Sequence, residues 1–155
     1  MTKDSDFKQL VRERMRETGQ NYTAARADLA SGPHRDERWL RAQSEHQVVI
    51  DRFIRDGRLV QFPARRKARA SVLLHLVSLF QPKTTYPEVR VNDTLHTVVE
   101  DHAFWRRELV NYGYLRREAG QYWLATEPPV RPAHMAQEIP LWEAVWLPGH
   151  LRGES

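Results

Sequence analysis

Residues 104–117 read Phe-Trp-Arg-Arg-Glu-Leu-Val-Asn-Tyr-Gly-Tyr-Leu-Arg-Arg, and this stretch decides the predicted fold. A helix is predicted over residues 101–112. Because each residue of a helix is rotated by about 100° from the previous one, Trp105, Leu109 and Tyr112 fall on one face. We expect this face to pack against the core, so that the opposite face of the helix points toward solvent.

The chain is predicted to reverse after this helix and to form a two-stranded hairpin. Gly113 supplies the left-handed turn that ends a helix. Strands are predicted over residues 114–118 and 121–125, and the two residues between them, Ala119 and Gly120, suit a tight hairpin turn. A helix followed by such a hairpin is typical of the recognition helix and wing of a winged helix-turn-helix.

Two further helices are predicted before this segment. Residues 64–80 carry apolar side chains at helical spacing. Thr85 and Glu88 have the spacing of a capping box, which predicts a second helix that begins at Thr85 and ends near Val99. Side-chain character alternates along residues 58–62, which predicts a short strand. We expect this strand to pair with the wing in a three-stranded sheet. The predicted fold class is therefore mainly α with a small β-hairpin, a winged helix-turn-helix core preceded by a helical N-terminal segment.

Positive charge is concentrated in this core. Residues 64–123 contain ten Lys and Arg against six Asp and Glu, which accounts for the formal charge of +4 of the whole chain. A concentrated positive field favours a polyanionic partner, and we expect double-stranded DNA. The candidate DNA contacts are the basic side chains of the third helix, the wing and the start of the first helix: Arg106, Arg107, Arg116, Arg117, Arg65, Arg66 and Lys67.

These seven side chains have different expected roles. Arg107 projects nearly opposite Trp105, so it is the better candidate to reach a base edge. Arg106 lies on the flank of the helix, and the two arginines together are expected to make base and backbone contacts. The two wing arginines are expected to contact phosphate or the minor groove. The three basic residues at 65–67 are expected to anchor the DNA backbone.

Several motifs are shared with one bacterial family. They are Phe-Ile-Arg-Asp-Gly-Arg-Leu at 53–59, Tyr-Pro-Glu at 86–88, and Arg-Arg-Glu-Leu-Val at 106–110 followed by Gly113 and Leu115. On these motifs, residues 53–124 resemble the bacterial domain of unknown function 2087, a winged-helix-like module found alone or attached to helix-turn-helix regulators. The resemblance implies a fold and a regulatory role. It implies no substrate, because the family has no established chemistry.

The organisation of the whole chain follows from breaks in periodicity. We predict an N-terminal helical hairpin over residues 1–31, a connecting helix over 36–57, the winged-helix domain over 58–125 and a proline-containing tail over 126–155. The hairpin is expected to act as a scaffold or in a homodimer. The apolar part of the tail is expected either to fold back over the winged core or to dock onto a second subunit.

The composition excludes some kinds of site and indicates the cellular compartment. The 155 residues include no cysteine, which excludes a disulfide framework and thiolate metal sites. No apolar run is long enough to span a bilayer, and the N-terminus lacks the apolar stretch of a signal peptide, so we expect a cytoplasmic protein without a membrane partner.

Sequence motifs for catalysis are missing. The chain has no glycine-rich phosphate loop, nucleophile elbow or His-Glu-x-x-His helix, so we expect no enzyme, cofactor or metal site. His96 and His102 lack the spacing that would converge two imidazoles on a metal. His46, on the apolar stripe of the connecting helix, is expected to be a partly buried structural histidine. The alternative to DNA binding is a protein–protein interaction module that modulates another regulator.

Overall fold

The computed structural model describes residues 36–154 together with Gln9 and Arg12. The chain divides into two compact units, residues 1–41 and residues 42–155. Apart from Gln9 and Arg12, the N-terminal hairpin predicted over residues 1–31 lies outside the described residues.

The described part is mainly helical with small antiparallel sheets, which confirms the predicted fold class at that level. In chain order the elements are α1 (Glu37–Phe53), β1 (Ile54–Arg55), β2 (Arg58–Leu59), α2 (Arg66–Val77), β3 (Thr85–Pro87), α3 (Glu88–His96), α4 (His102–Asn111), β4 (Leu115–Glu118), β5 (Gln121–Leu124), a 3-10 helix (Ala133–Glu138) and α5 (Leu141–Leu151). No helix in the described residues is both long enough and apolar enough to cross a membrane.

Helix α2 lies at the centre of the core. Its residues from Ala70 to Leu74, together with Leu76 and Val77, are all buried, so the helix is covered on nearly every side. A helix that is apolar around most of its circumference must be surrounded by other elements. Helix α4, the 3-10 helix and α5 all pack against it.

Helix α4 and the wing follow the prediction closely. Asp101 caps the helix by accepting a hydrogen bond from the Phe104 amide at 3.1 Å. At the other end, Gly113 has φ +81° and donates to the Val110 carbonyl, while the Tyr114 amide donates to the Leu109 carbonyl. These two bonds form a Schellman motif, which satisfies carbonyl groups that the end of the helix would leave free.

Gly113 is required at this turn for a second reason. A Cβ atom at that position would lie 3.2 Å from the Cβ of Pro129, and a positive φ is already unfavourable for other residues. The wing beyond it turns at Ala119 and Gly120, which both have positive φ angles as a two-residue type I′ hairpin requires.

The third strand of the wing sheet was predicted wrongly. Arg58 and Leu59 pair with Arg55 and Ile54 in a separate two-stranded sheet, because Asp56 and Gly57 both adopt positive φ and reverse the chain at once. This early reversal also ends α1 at Phe53 rather than near residue 56.

The strand that joins the wing is β3, which pairs with β5 in the order β3-β5-β4. The capping box predicted at Thr85 was therefore wrong, since Thr85 lies in this strand and α3 begins at Glu88 without a side-chain cap. Pro87 fits here because β3 is an edge strand, where a missing N–H removes no ladder hydrogen bond. The Tyr86 hydroxyl accepts from the Gln81 amide at 2.8 Å, which holds the entry to the strand.

The C-terminal tail folds back on the core, which was one of its two expected positions. Helix α5 packs against α2, and His150 Nε2 lies 2.9 Å from the carbonyl oxygen of Phe80. Trp142 stacks on His46 of α1 with ring centroids 5.2 Å apart. His46 is buried more fully than the partly buried position expected for it, since 8% of the residue is exposed.

Burial, with a smaller contribution from His75, lowers the pKa of His46 from 6.5 to about 4. Between these two pH values His46 is protonated in the unfolded chain but neutral in the fold, so the unfolded state binds more protons. We predict that the free energy of unfolding falls by roughly 1 to 3 kcal/mol as pH is lowered from 6.5 to 4. Urea unfolding at several pH values measures this. The decline should be smaller in His46→Gln. His134→Gln changes an exposed histidine and should decline as wild type does. Equal declines in all three proteins would contradict the lowered pKa of His46.

Candidate nucleic-acid interface

A groove of about 230 Å³ separates helix α4 from the wing. Its basic lining residues are Arg106 and Arg107 from the helix and Arg117 from β4, with Asn111 at the end of the helix and Tyr122 on β5. Arg107 and Asn111 lie on the side of α4 that faces away from the buried Trp105 and Leu109, and Arg106 lies on the flank of the helix. The exposed side of the helix thus forms one wall of the groove.

The register of the wing determines which of its arginines reaches the groove. Arg117 is directly opposite Tyr122, and Arg116 is directly opposite Trp123. Since successive side chains of a strand point to opposite faces, Arg117 shares the α4 side of the sheet with Tyr122, whereas Arg116 lies on the other side with Trp123. The two wing arginines, which the sequence could not distinguish, therefore belong to different surfaces.

Arg107 and Arg117 are the exposed cations of this groove. Among the described residues, neither side chain has a hydrogen-bond or ion-pair partner. Their guanidinium groups are thus available to an external acceptor. A guanidinium group bonds phosphate oxygens or the acceptor edge of guanine in a bidentate geometry, so the chemistry of the groove suits a nucleic acid.

Arg106 is held inside the molecule. Its side chain is 20% exposed, it donates to the Asn92 carboxamide oxygen of α3, and its Nε lies 3.8 Å from the Glu88 carboxylate. Glu88 also accepts a hydrogen bond from the Tyr122 hydroxyl at 2.9 Å. Arg106 therefore links α4 to α3, and Glu88 extends this link to β5.

The remaining candidates lie outside the groove. Arg65 precedes α2 and is exposed, as is Lys67, whereas Arg66 forms an ion pair with Glu138 at 3.3 Å. The structure thus brings together three of the seven predicted residues and separates the others. The division of these residues between the groove and other surfaces depends on tertiary contacts, since nothing in the local sequence marks Asn92 or Glu138 as a partner of an arginine.

A buried polar cluster supports the start of the wing, and sequence reasoning missed it. The Tyr114 hydroxyl donates to Glu143 of α5 at 2.7 Å, and Arg131 donates to the same carboxylate at 2.6 Å. The Arg131 guanidinium also lies over the rings of Tyr112 and Tyr114. Burial, together with the Glu143 charge, raises the pKa of the Tyr114 hydroxyl. The signal in the sequence was a single carboxylate, Glu143, within the apolar segment 139–147.

His96 and His102, the pair considered as a metal site, lie next to each other without a third ligand among the described residues. The rings of His96 and His102 contact each other edge to face, with centroids 5.8 Å apart. Within the part of the chain that the structure describes, no three His, Cys, Asp or Glu side chains gather closely enough to hold a metal ion.

The central segment is similar to a known family. Residues 58–124 match the model of the family DUF2087, described as an uncharacterized protein conserved in bacteria. The matched segment runs from β2 through the wing, so it contains α2, α3, α4 and the whole groove. This match confirms the resemblance drawn from the sequence motifs. Neither a curated protein nor a solved structure matches the chain.

The two neighbouring arginines of α4 should differ in their effect on stability. Arg106→Ala removes a partly buried charge from Asn92 and Glu88, so we expect the free energy of unfolding to fall by about 1 to 3 kcal/mol. Arg107→Ala removes an exposed side chain and should change it by no more than about 0.5 kcal/mol. Urea unfolding of both variants tests this, and equal losses would contradict the different environments of the two side chains.

Proposed function

We propose that the segment matched to DUF2087 is a winged helix-turn-helix that binds double-stranded DNA, and that the chain is a transcriptional regulator of the cytoplasm rather than an enzyme. The observation that carries the proposal is the position of Arg107 and Arg117. These two exposed guanidinium groups, one on each side of the groove between α4 and the wing, have no partner among the described residues. In this proposal α4 enters the major groove.

The order of the elements supports this assignment. Helix α2, strand β3, helices α3 and α4, and strands β4 and β5 follow one another, with α3 and α4 as the helix-turn-helix pair and β4-β5 as the wing. Helices α3 and α4 pack together, and Arg106 and Asn92 bond across their interface. This bond holds α4 against α3.

We assign roles according to the environment of each arginine. Arg107 contacts base edges, and Arg117 contacts phosphate beside the major groove. Arg116, on the other side of the wing sheet, and Arg65 and Lys67, before and within the first turn of α2, contribute to the positive field and to backbone contacts. Arg106 acts as a positioning residue, through Glu88 and Asn92.

The proposal predicts DNA binding that weakens steeply with salt. Each phosphate neutralised by the protein contributes a slope of about −0.9 in log K against log salt concentration, so loss of one contact reduces the slope by about one. Arg117→Ala should make this slope shallower with any duplex. Arg107→Ala should in addition reduce the preference for a selected site over other duplexes by about 1 to 3 kcal/mol. Titrations of the full chain with genomic fragments measure both quantities.

Arg55→Ala is the matched control, because it removes one exposed positive charge from the β1-β2 hairpin, outside the groove. It should bind as wild type does. Binding that is absent or insensitive to salt in the wild-type protein would reject the proposal and favour the protein–protein interaction module. Equal losses in Arg55→Ala and Arg107→Ala would show that net charge, rather than the groove, governs binding.

We further propose that the protein acts as a homodimer, since helix-turn-helix regulators commonly bind two half-sites related by twofold symmetry. Light scattering of the free protein should then give twice the mass of the 18.3 kDa chain. The mass of a single chain at concentrations of tens of micromolar would contradict the dimer and leave the proposed DNA-binding surface untouched.

A further inference from the structure

A second cavity, of about 250 Å³, lies on another side of helix α4. Three guanidinium groups line it: Arg66 and Arg69 from the start of α2, and Arg131 from the segment before the 3-10 helix. Pockets for drug-sized ligands usually measure about 300 to 1,000 Å³, so this cavity has room for a smaller molecule.

Two of the three arginines have weak internal bonds. The Arg69 guanidinium nitrogens lie 3.4 Å from the carbonyl oxygens of Pro63 and Ala64. Arg66 Nη1 lies 3.3 and 3.4 Å from the two carboxylate oxygens of Glu138. A strong bond from a guanidinium to a carboxylate measures about 2.7 to 2.9 Å, so both side chains retain bonding capacity for another acceptor.

The third arginine has a different role in the cavity. Arg131 is bonded at 2.6 Å to Glu143, whose side chain is 9% exposed, so it forms a fixed part of the wall. Its guanidinium lies 5.5 Å from the centroid of the Tyr112 ring, which also lines the cavity. The Met135 side chain adds a second apolar surface. The wall is therefore cationic on one side and apolar on another.

The acidic groups of the cavity offset part of its positive charge. Glu108 and Glu138 are its carboxylates, and Arg131 is already paired with Glu143, so Arg66 and Arg69 are the guanidinium groups left to an anion. Glu108 accepts a hydrogen bond from Asn111 at 3.2 Å, on the same helix. Glu138 is the carboxylate that holds Arg66, at a long distance and with 37% of its side chain exposed. An anion in the cavity would compete with Glu138 for Arg66.

We propose that this cavity binds a small organic anion, whose carboxylate or phosphate group bonds Arg66 and Arg69 while its apolar part contacts Tyr112 and Met135. The proposal does not depend on DNA binding, because it rests on residues outside the groove between α4 and the wing, apart from Asn111 at the border of both cavities. It assigns to Arg66 a role different from the DNA-backbone contact expected from the sequence.

Calorimetric titration of the full chain with benzoate and with inorganic phosphate, at constant ionic strength, tests this proposal. We expect saturable binding of at least one probe with a dissociation constant of about 1 mM or lower. Tighter binding of benzoate would indicate a carboxylate ligand with an apolar body, and tighter binding of phosphate would indicate a phosphorylated ligand. Arg69→Gln should weaken binding by about tenfold or more, since it removes charge-assisted hydrogen bonds.

Two matched variants keep the test decisive. Arg65→Gln removes the same charge from a neighbouring exposed residue that does not line the cavity, so it should bind as wild type does. Glu138→Gln removes the competing carboxylate and should bind more tightly, which supports the site even if Arg69→Gln fails to fold. Equal affinities of the Arg65 and Arg69 variants would overturn the proposal. So would the absence of saturable binding to both the wild-type and the Glu138→Gln protein.

Discussion

The geometry of the candidate interface depends most on the bonds that Tyr114 and Arg131 make to the buried carboxylate of Glu143. A buried charge is tolerated only when it is paired and hydrogen-bonded, and Glu143 meets this condition through Tyr114 and Arg131. Tyr114 follows Gly113, the turn between α4 and the wing. The tail helix α5 therefore holds the chain at the point where α4 ends and β4 begins. Loss of Arg131 would leave the charge of this carboxylate uncompensated, and loss of Tyr114 would remove one of its hydrogen bonds. Either change would weaken both the start of β4 and the core.

The elements that could be predicted from the sequence are those fixed by short-range chemistry. Helix α4 follows from the spacing of Trp105 and Leu109, and its end follows from Gly113, where a positive φ and the closeness of Pro129 both require glycine. The wing follows from two short strands and a two-residue turn. The third strand could not be predicted in this way. Thr85-Tyr86-Pro87-Glu88 has the composition of a helix start, and only pairing with residues 121–123, far along the chain, makes it a strand.

The candidate site was harder to predict than the fold, because the arginines differ in their partners rather than in their local sequence. Arg106 and Arg107 are adjacent, yet one bonds Asn92 and Glu88 while the other is exposed. Arg66 forms an ion pair with Glu138, 72 residues away. The cluster of positive charge was visible in the composition, but its division between a groove and a separate cavity depends on contacts across the core. Helix α4 contributes to both cavities, and Asn111 lines both of them.

The central claim is that the surface formed by α4 and the wing binds duplex DNA. Hydrogen exchange of the full chain, measured with and without a genomic duplex that it binds, tests that claim most directly because it locates the contact without any substitution. We expect slower exchange in α4 and in β4-β5, around Arg107 and Arg117, and unchanged exchange in α5. Protection confined to α5 or to the β1-β2 hairpin, with none in α4 or the wing, would contradict the account.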